Sequence, residues 1–343
     1  MPNYKSIRPL IFKLDPERAH QLTLRILELS GALPPVRAWM WRVFSLEKSD
    51  LRVHAFGLDF PNPVGMAAGY DKDGRAFRGL ACLGFGHLEL GTVTPHSQVG
   101  NPRPRVFRLP QDRALINRMG FPNAGSEALL RRLQSGGRLP GVVLGVNIGK
   151  GMDTPLIKAS EDYLTLLRIF YPVADYLAIN ISSPNTIGLR RLQAREYLED
   201  LLGALSSARS DLEATGRRRV PILVKLSPDL NDDELEDAVA VVQGTGMDGI
   251  IATNTTVDRS ALSSSYREET GGLSGTPLRE RSTEMVRQIY QLSGGGLPIV
   301  GVGGIFSVED AREKLEAGAT LIQIYTGLVY RGPGLVREIL EGL

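Results

Sequence analysis

Cysteine is nearly missing from this chain: Cys82 is the only one in 343 residues. That excludes a disulfide framework, a CxxC motif and any zinc or iron–sulfur site held by cysteines. Histidine is scarce as well. His20, His54, His87 and His96 show no pair at metal-ligand spacing, so no metal site is expected. No run approaches the roughly 18 apolar residues of a membrane span. Residues 1–17 lack a continuous apolar stretch, because Asp15, Pro16 and Glu17 interrupt it, so no signal peptide reads there. An excess of one charge is also absent. Forty Lys and Arg stand against 38 Asp and Glu, a net +2 that is too small to argue for nucleic acid. With 42% hydrophobic and 23% charged residues the composition is that of a soluble globular protein, cytoplasmic by default.

What is present divides in two. In residues 1–50, Asp15 and Pro16 read as the cap and first position of a helix reaching Leu33. Leu22, Ile26, Leu29 and Leu33 fall on one face of it. After Pro34 and Pro35 a second, shorter helix carries Val36, Trp39, Met40, Val43 and Phe44. Residues 1–48 hold eight basic against four acidic residues. A basic amphipathic pair of this kind can lie in a membrane interface. It can equally pack on the main domain.

Residues 51–343 show a repeating order. Leu51 to Phe60 resembles a small hairpin around Gly57. Eight apolar strands are then expected at 63–67, 87–93, 142–148, 175–181, 221–226, 249–253, 298–302 and 320–325. Each is followed by a helical stretch, at 74–83, 125–133, 160–171, 194–214, 232–243, 279–292, 308–317 and 335–340. Ser307 with Asp310 reads as a capping-box start. Eight strand–helix units fit a (β/α)8 TIM barrel with an N-terminal helical extension, with a doubly wound open sheet as the alternative.

Ligands of such barrels sit at the C-terminal strand ends, and those ends are polar here. Strand four runs into Asn180-Ile181-Ser182-Ser183-Pro184-Asn185-Thr186, where two amides and three hydroxyls follow a buried run. A loop that only had to turn would use Gly, Asp and Asn more cheaply. Other ends carry Asn147, Lys225, and Thr253 with Asn254 and Thr255. The glycines after strands seven and eight, Gly303-Gly304 and Tyr325-Thr326-Gly327, stand where barrels frequently bind phosphate, which is the expectation here, with tight turns alone as the alternative. Gly271 to Gly275, in the preceding loop, could assist. Lys225 ends a buried strand and needs an anionic partner. It could be a Schiff-base lysine, a cation for a cofactor, or half of an internal salt bridge. Lys72, set between Asp71 and Asp73, is a second candidate cation. Ser183 has no triad partner and no G-x-S-x-G context, which argues against a hydrolytic nucleophile and leaves a general-base role open.

Taken in order, AAGYDKDG (67–74), GTVTP (91–95), NRMGF (117–121), NIGK (147–150), INISSPNT (179–186), VKLSPD (224–229), IATNTT (251–256), TGGLSG (270–275), GVGGI (301–305) and QIYTG (323–327) resemble the dihydroorotate dehydrogenases, flavin enzymes of pyrimidine synthesis. One class of that family uses a catalytic cysteine and soluble acceptors. The other uses serine, carries an N-terminal helical extension and passes electrons to a membrane quinone. Ser183 and residues 1–50 resemble the second class. The resemblance implies FMN bound by Ala68, Gly69, Tyr70, Asp71, Lys72, Thr92, Asn147, Asn180, Lys225, Thr253, Gly275, Gly304, Tyr325 and Thr326. It implies dihydroorotate bound by Lys72, Asn117, Arg118, Met119, Gly120, Phe121, Asn180, Asn185, Asn254 and Thr255, with Ser183 as catalytic base. It further implies a bacterial-type monomer, peripheral on the cytoplasmic side of the cell membrane. Alternatives are a family member using fumarate or NAD, and a Lys225 Schiff-base aldolase.

Overall fold

The computed structural model describes residues 4–139 and 141–343. The chain opens with three helices, α1 (Tyr4–Ile11), α2 (Pro16–Ala32) and α3 (Pro34–Phe44). The Asp15 carboxylate accepts the Arg18 N–H at 3.0 Å, satisfying an amide that no helical carbonyl reaches. A hairpin follows, β1 (Val53–Ala55) and β2 (Leu58–Phe60). Its two-residue turn places Phe56 at φ 55° and Gly57 at φ 74°, the positive pair that matches the twist of a hairpin.

Next come β3 (Val64–Met66), α4 (Phe77–Ala81), β4 (His87–Val93), β5 (Val106–Leu109), β6 (Ala114–Asn117), α5 (Ser126–Gly136), β7 (Val143–Ile148), α6 (Ala159–Phe170) and β8 (Tyr176–Asn180). The second half holds α7 (Arg195–Ala214), β9 (Ile222–Leu226), α8 (Asp232–Gly244), β10 (Gly249–Ala252), β11 (Gly272–Gly275), α9 (Arg279–Leu292), β12 (Ile299–Val302), α10 (Val308–Glu316), β13 (Leu321–Ile324), α11 (Thr326–Arg331) and α12 (Leu335–Gly342). Strands β3, β4, β7, β8, β9, β10, β12 and β13 form a closed parallel barrel, β13 pairing back on β3. The fold is therefore a (β/α)8 TIM barrel and not an open sheet.

Alternate residues along each strand divide two cores. Outward residues such as Val64, Leu88, Val146, Leu177 and Ile179 pack under the helices. Inward residues such as Val143, Tyr176, Leu223, Ile251, Val300 and Leu321 fill the barrel with Ala55 and Phe60 of the hairpin. Phe60 stacks edge-on against His87, the first residue of β4, at 5.5 Å. The hairpin thus plugs the N-terminal end, and only the C-terminal end is open to a ligand.

Helix α2 crosses α4 closely because two glycines meet. A Cβ on Gly79 would fall 2.1 Å from the Leu27 carbonyl oxygen, and one on Gly31 would fall 2.6 Å from the Gly79 nitrogen. The apolar stripe of α2 does not face this contact. Leu22, Ile26, Leu29 and Leu33 are 47%, 52%, 57% and 53% exposed.

Several elements differ from expectation. The helix expected at 74–83 is only Phe77–Ala81, because the Asp71 carboxylate takes the N–H groups of Arg75 and Ala76 at 2.9 and 2.7 Å and holds a turn there. The Gly271–Gly275 loop is in part strand β11. It pairs antiparallel with β6, in what read as a long loop, and β5 completes a three-stranded sheet. Ser307 caps α10, but Asp310 returns its bond to the Phe306 N–H instead of to the cap.

Candidate active site

A cavity of about 370 Å³ opens at the C-terminal end of the barrel and continues under α1 and α2. Ser183, Lys225 and Gly304, far apart in sequence, all line it. Strand ends account for the convergence, since each barrel strand delivers its next residue to the same mouth.

The floor is a chain of oriented side chains. Asn180 Nδ2 donates to Thr92 Oγ1 at 2.8 Å and to Asn147 Oδ1 at 3.2 Å. The Thr92 hydroxyl donates to Asn147 Oδ1 at 2.5 Å. Asn147 Nδ2 passes the chain down to Glu89 Oε1 at 2.8 Å. Glu89, inside the barrel, also accepts from Gln323 Nε2 at 2.8 Å and Tyr176 Oη at 3.2 Å, and lies 3.5 Å from Lys225 Nζ. The carboxylate raises the Tyr176 phenol far above its usual value, after burial, the larger cause. Lys225 is thus both a cavity cation and half of an internal ion pair. The Oε1 atom of Gln323, also on the cavity wall, is buried without a partner among the described residues.

The upper wall is equally fixed. Asn254 Nδ2 donates to Asn180 Oδ1 at 3.2 Å and to Ser182 Oγ at 3.0 Å. Asn185 Nδ2 donates to Asn117 Oδ1 at 3.2 Å. Ser183 is buried, and its Oγ accepts the Asn185 N–H at 3.2 Å. Lys72 Nζ donates to the Gly69 carbonyl at 2.7 Å. Enclosure pushes its pKa down to about 8, with the Arg105 charge acting in the same direction and Asp73 opposing.

At the far side of the mouth, Gly275, Gly303 and Gly304 take φ values of 106°, 134° and 72° that favour glycine. A Cβ on Gly304 would sit 2.4 Å from the Arg279 Cβ. The first N–H groups of α11, which opens at Thr326, have no helical acceptor. Ser274 and Thr326 share a hydroxyl hydrogen bond at 2.8 Å beside them.

The other end of the cavity is apolar, with a few polar groups. Ile11, Phe12, Ala19, Ile26 and Leu27 line it with His20, Thr23 and Arg108. The Arg108 guanidinium lies 4.2 Å over the Phe12 ring and donates to the Phe12 carbonyl at 3.1 Å. Burial lowers the His20 pKa to about 3, with the charge of Lys72 adding to it, so the ring is neutral. Glu17 anchors this end by accepting from Arg103 and Arg105. Burial would raise its pKa, but these two guanidinium hydrogen bonds outweigh that and hold it below the usual carboxylate value.

Most sequence-predicted residues meet at this cavity: Ala68, Gly69, Tyr70, Lys72, Thr92, Asn117, Met119, Gly120, Phe121, Asn180, Ser183, Asn185, Lys225, Thr253, Asn254, Thr255, Gly275, Gly304, Tyr325 and Thr326. Three are not on its wall. Asp71 is spent on its turn, Arg118 pairs with Glu269 at 2.5 Å, and Asn147 acts from behind Thr92 and Asn180. Sequence reasoning missed Glu89, Gln323, Glu17, His20 and Arg108. A lone glutamate within the apolar run HLELGTV was the available signal for Glu89. His87 is buried beside Phe60, and no metal cluster exists among the described residues.

Comparison with known proteins identifies the family. The family model described as "Dihydroorotate dehydrogenase" matches residues 50–343. "Dihydroorotate dehydrogenase (quinone)" of Acidithiobacillus ferrooxidans is 50% identical over 99% of this chain and 94% of its own. The protein of the same name from Stutzerimonas stutzeri is 49% identical over 99% and 97%. Among solved structures, the DHODH of Eimeria tenella in complex with ferulenol superposes with a TM-score of 0.88 at 40% identity, covering 96% of this chain and 90% of that one. Its ligand-free form gives 0.86 at 41%. The chain belongs to the dihydroorotate dehydrogenase family.

Proposed function

We propose that this chain oxidises (S)-dihydroorotate to orotate, with FMN held in the barrel mouth and a membrane quinone as final acceptor, in the synthesis of pyrimidines. One observation carries the proposal: the polar barrel mouth and the apolar space under α1 and α2 are one continuous cavity.

The residues suit FMN. Gly303, Gly304 and the opening turn of α11 offer backbone N–H groups to a phosphate. Lys225 offers a cation toward a ring that becomes anionic on reduction, and Gln323 Oε1 is a buried acceptor lacking a donor. Thr92, Asn180 and Thr253 would border the ring, with Asn147 orienting Thr92 and Asn180 from behind. FMN, when bound, supplies the hydride acceptor and the electron store that a quinone empties.

The chain's own groups do the rest. Ser183 Oγ removes the proton from the carbon beside the dihydroorotate carbonyl, while the hydride departs from the adjacent ring carbon. The Asn185 N–H steadies the oxygen as it exchanges its proton. Asn117, Asn180, Asn185 and Asn254 orient the ring, and Lys72 pairs with its carboxylate. Because the amides already hold one another, little reorganisation is left for the reaction itself, and positioning supplies much of the rate.

Residues 1–50 form the quinone entrance and residues 51–343 the catalytic barrel. The exposed leucines of α2, Trp39 and the basic excess of this segment support a resting place on the cytoplasmic face of the cell membrane. No helix of the described residues is long and apolar enough to cross a bilayer, and contact is therefore peripheral in this proposal. The enzyme works as a monomer in this reading.

Ser183→Ala tests the mechanism. The variant keeps flavin absorbance, and stopped-flow reduction by dihydroorotate slows by about 10²- to 10⁴-fold, the usual worth of a positioned base. Undiminished reduction removes Ser183 from that role. Turnover with a short-chain quinone, but not with fumarate or NAD, distinguishes the acceptor.

A further inference from the structure

We infer that Arg190 is a positioning residue for Ser183, tying the loop that carries the base to the opposite wall of the substrate pocket. The inference rests on the reading of Ser183 as base. Arg190 lies in the short 3-10 turn Leu189–Gln193, just beyond the Ser183 loop. It does not line the cavity, so it acts on the reaction only through other residues.

Its guanidinium makes three bonds to three different loops. Nε donates to the Ser182 carbonyl at 3.2 Å, Nη2 to the Thr255 carbonyl at 3.1 Å, and Nη1 to Asp229 Oδ2 at 2.7 Å. The Ser182 carbonyl belongs to the peptide that leads directly into Ser183. Thr255 and its neighbour Asn254 form the facing wall. Asp229 is itself fixed, accepting the Val257 N–H at 3.0 Å and the Thr256 hydroxyl. One planar cation therefore joins the loops after β8, β9 and β10. A second tie lies close by, where Gln193 Oε1 accepts the Ser227 N–H at 2.9 Å.

An ordinary surface ion pair would contribute little. The Arg190 and Asp229 side chains are about a quarter exposed, and solvent screening leaves pairs of that kind weak. The two carbonyl acceptors make the difference. They convert the pair into a fixed distance between the Ser183 loop and the Asn254 wall. A lysine could keep the bond to Asp229 but lacks the planar fork that reaches the other two oxygens. Serine is a weak base, so its reach and angle to the substrate carbon decide the rate. Misplacement by about 1 Å can cost about 10²-fold. The bond from Asn254 to the Ser182 hydroxyl does not involve Arg190, so a change there is expected to loosen the loop without releasing it.

The test uses the full-length, FMN-loaded protein and follows flavin reduction by dihydroorotate separately from reoxidation by quinone. Arg190→Ala is expected to slow reduction about 100-fold and Arg190→Lys about 10-fold, with reoxidation unchanged. The double variant Ser183→Ala/Arg190→Ala is expected to lose far less than the product of the two single losses, because the main route of Arg190 to the chemistry runs through Ser183. If the alanine variant fails to fold, the lysine variant and its double with Ser183→Ala decide. The inference is overturned by reduction within twofold of the unaltered protein, by equal loss in both half-reactions, or by losses that multiply in the double variant. Fast reduction in Ser183→Ala alone defeats the base reading, whereas a slow Ser183→Ala with a fast Arg190→Ala defeats only this inference.

Discussion

At the barrel end of the cavity, Thr92, Asn147, Asn180 and Asn254 hold one another by side-chain hydrogen bonds, each delivered by a different strand end. At the extension end, Ile11, Ile26 and Leu27 line the same cavity on helices that no barrel strand supports. The first end is over-determined. The second is attached by the glycine crossing of α2 on α4 and by single long-range bonds, among them Tyr4 Oη to the Val329 carbonyl at 2.7 Å, Arg8 to the Tyr330 carbonyl at 3.1 Å, and Glu17 to Arg105 at 2.8 Å. Chemistry that depends on angle and distance belongs on the rigid end. Admission of a flexible apolar molecule belongs on the end that can give way.

If the two ends are separable in this way, damage at one should leave the other working. The largest effect is expected at Lys72. Replacing it with methionine keeps the bulk and removes the cation proposed to face the substrate carboxylate. A charged hydrogen bond of about 2–3 kcal/mol is lost, roughly 100-fold in kcat/KM for dihydroorotate, while the quinone KM stays as it was. The pH dependence carries the same signature. With a pKa of about 8 in the free protein, Lys72 loses its charge as pH rises through that value, so kcat/KM falls above about pH 8. The linkage to stability runs the other way. The depressed pKa penalises the folded state while the ammonium is charged, so unfolding stability rises between about pH 8 and the ordinary lysine range. A flat profile in kcat/KM through pH 9 would detach Lys72 from the substrate.

The intermediate effect is expected at Glu17. Glu17→Gln leaves Arg105 buried beside a neutral amide. Breaking a buried pair costs several kcal/mol, and since Arg103 is largely exposed, about 2 kcal/mol is the expected loss, a melting point lower by a few degrees. The quinone KM rises several-fold, and flavin reduction by dihydroorotate keeps its rate. The folded pKa of Glu17 is lowered, so its contribution is present at neutral pH and disappears as pH falls through that lowered value. Slower reduction in this variant would show that the ends are coupled through Arg105, which also holds the Val99 and Asn101 carbonyls beside the substrate loop.

The same contrast governs what the sequence discloses. The eight barrel strands fall within one or two residues of the apolar runs that announce them, because each is buried on both faces and its signal is local. The sheet of β5, β6 and β11 gives no such signal: Asn117 of β6 pairs with Gly272 of β11, 155 residues away. Helix α1 is short, contains Pro9, and is secured to carbonyls more than 320 residues further on. Strand-end amides are legible because polar residues after a buried run are costly without a use. Glu89 is hidden in the middle of such a run, and its need is met by partners on four other strands. His20 is one of several polar residues in an amphipathic helix, and only the cavity shows which way it looks.

The smallest effect is expected on the outer surface of α2, and it tests the proposed membrane side of the comparison. Leu22 and Leu29 are exposed and do not line the cavity. Full burial of a leucine is worth about 2 kcal/mol, and a side chain that starts half covered gains about 1 kcal/mol on entering an interface. Leu29→Gln should therefore reduce co-sedimentation with vesicles containing anionic lipid about fivefold, and Leu22→Gln by a similar factor. Thermal stability should change by no more than about 0.5 kcal/mol, since the side chain packs against little in the folded chain. Turnover with a short-chain quinone in detergent should be unaffected, because neither leucine touches the passage. Raised salt should weaken vesicle binding of both variants further, through screening of the basic residues beside them. Unchanged co-sedimentation in both variants would mean that the outward leucines do not meet lipid. The apolar stripe of α2 would then need another occupant, and the extension would remain a quinone entrance without a membrane seat.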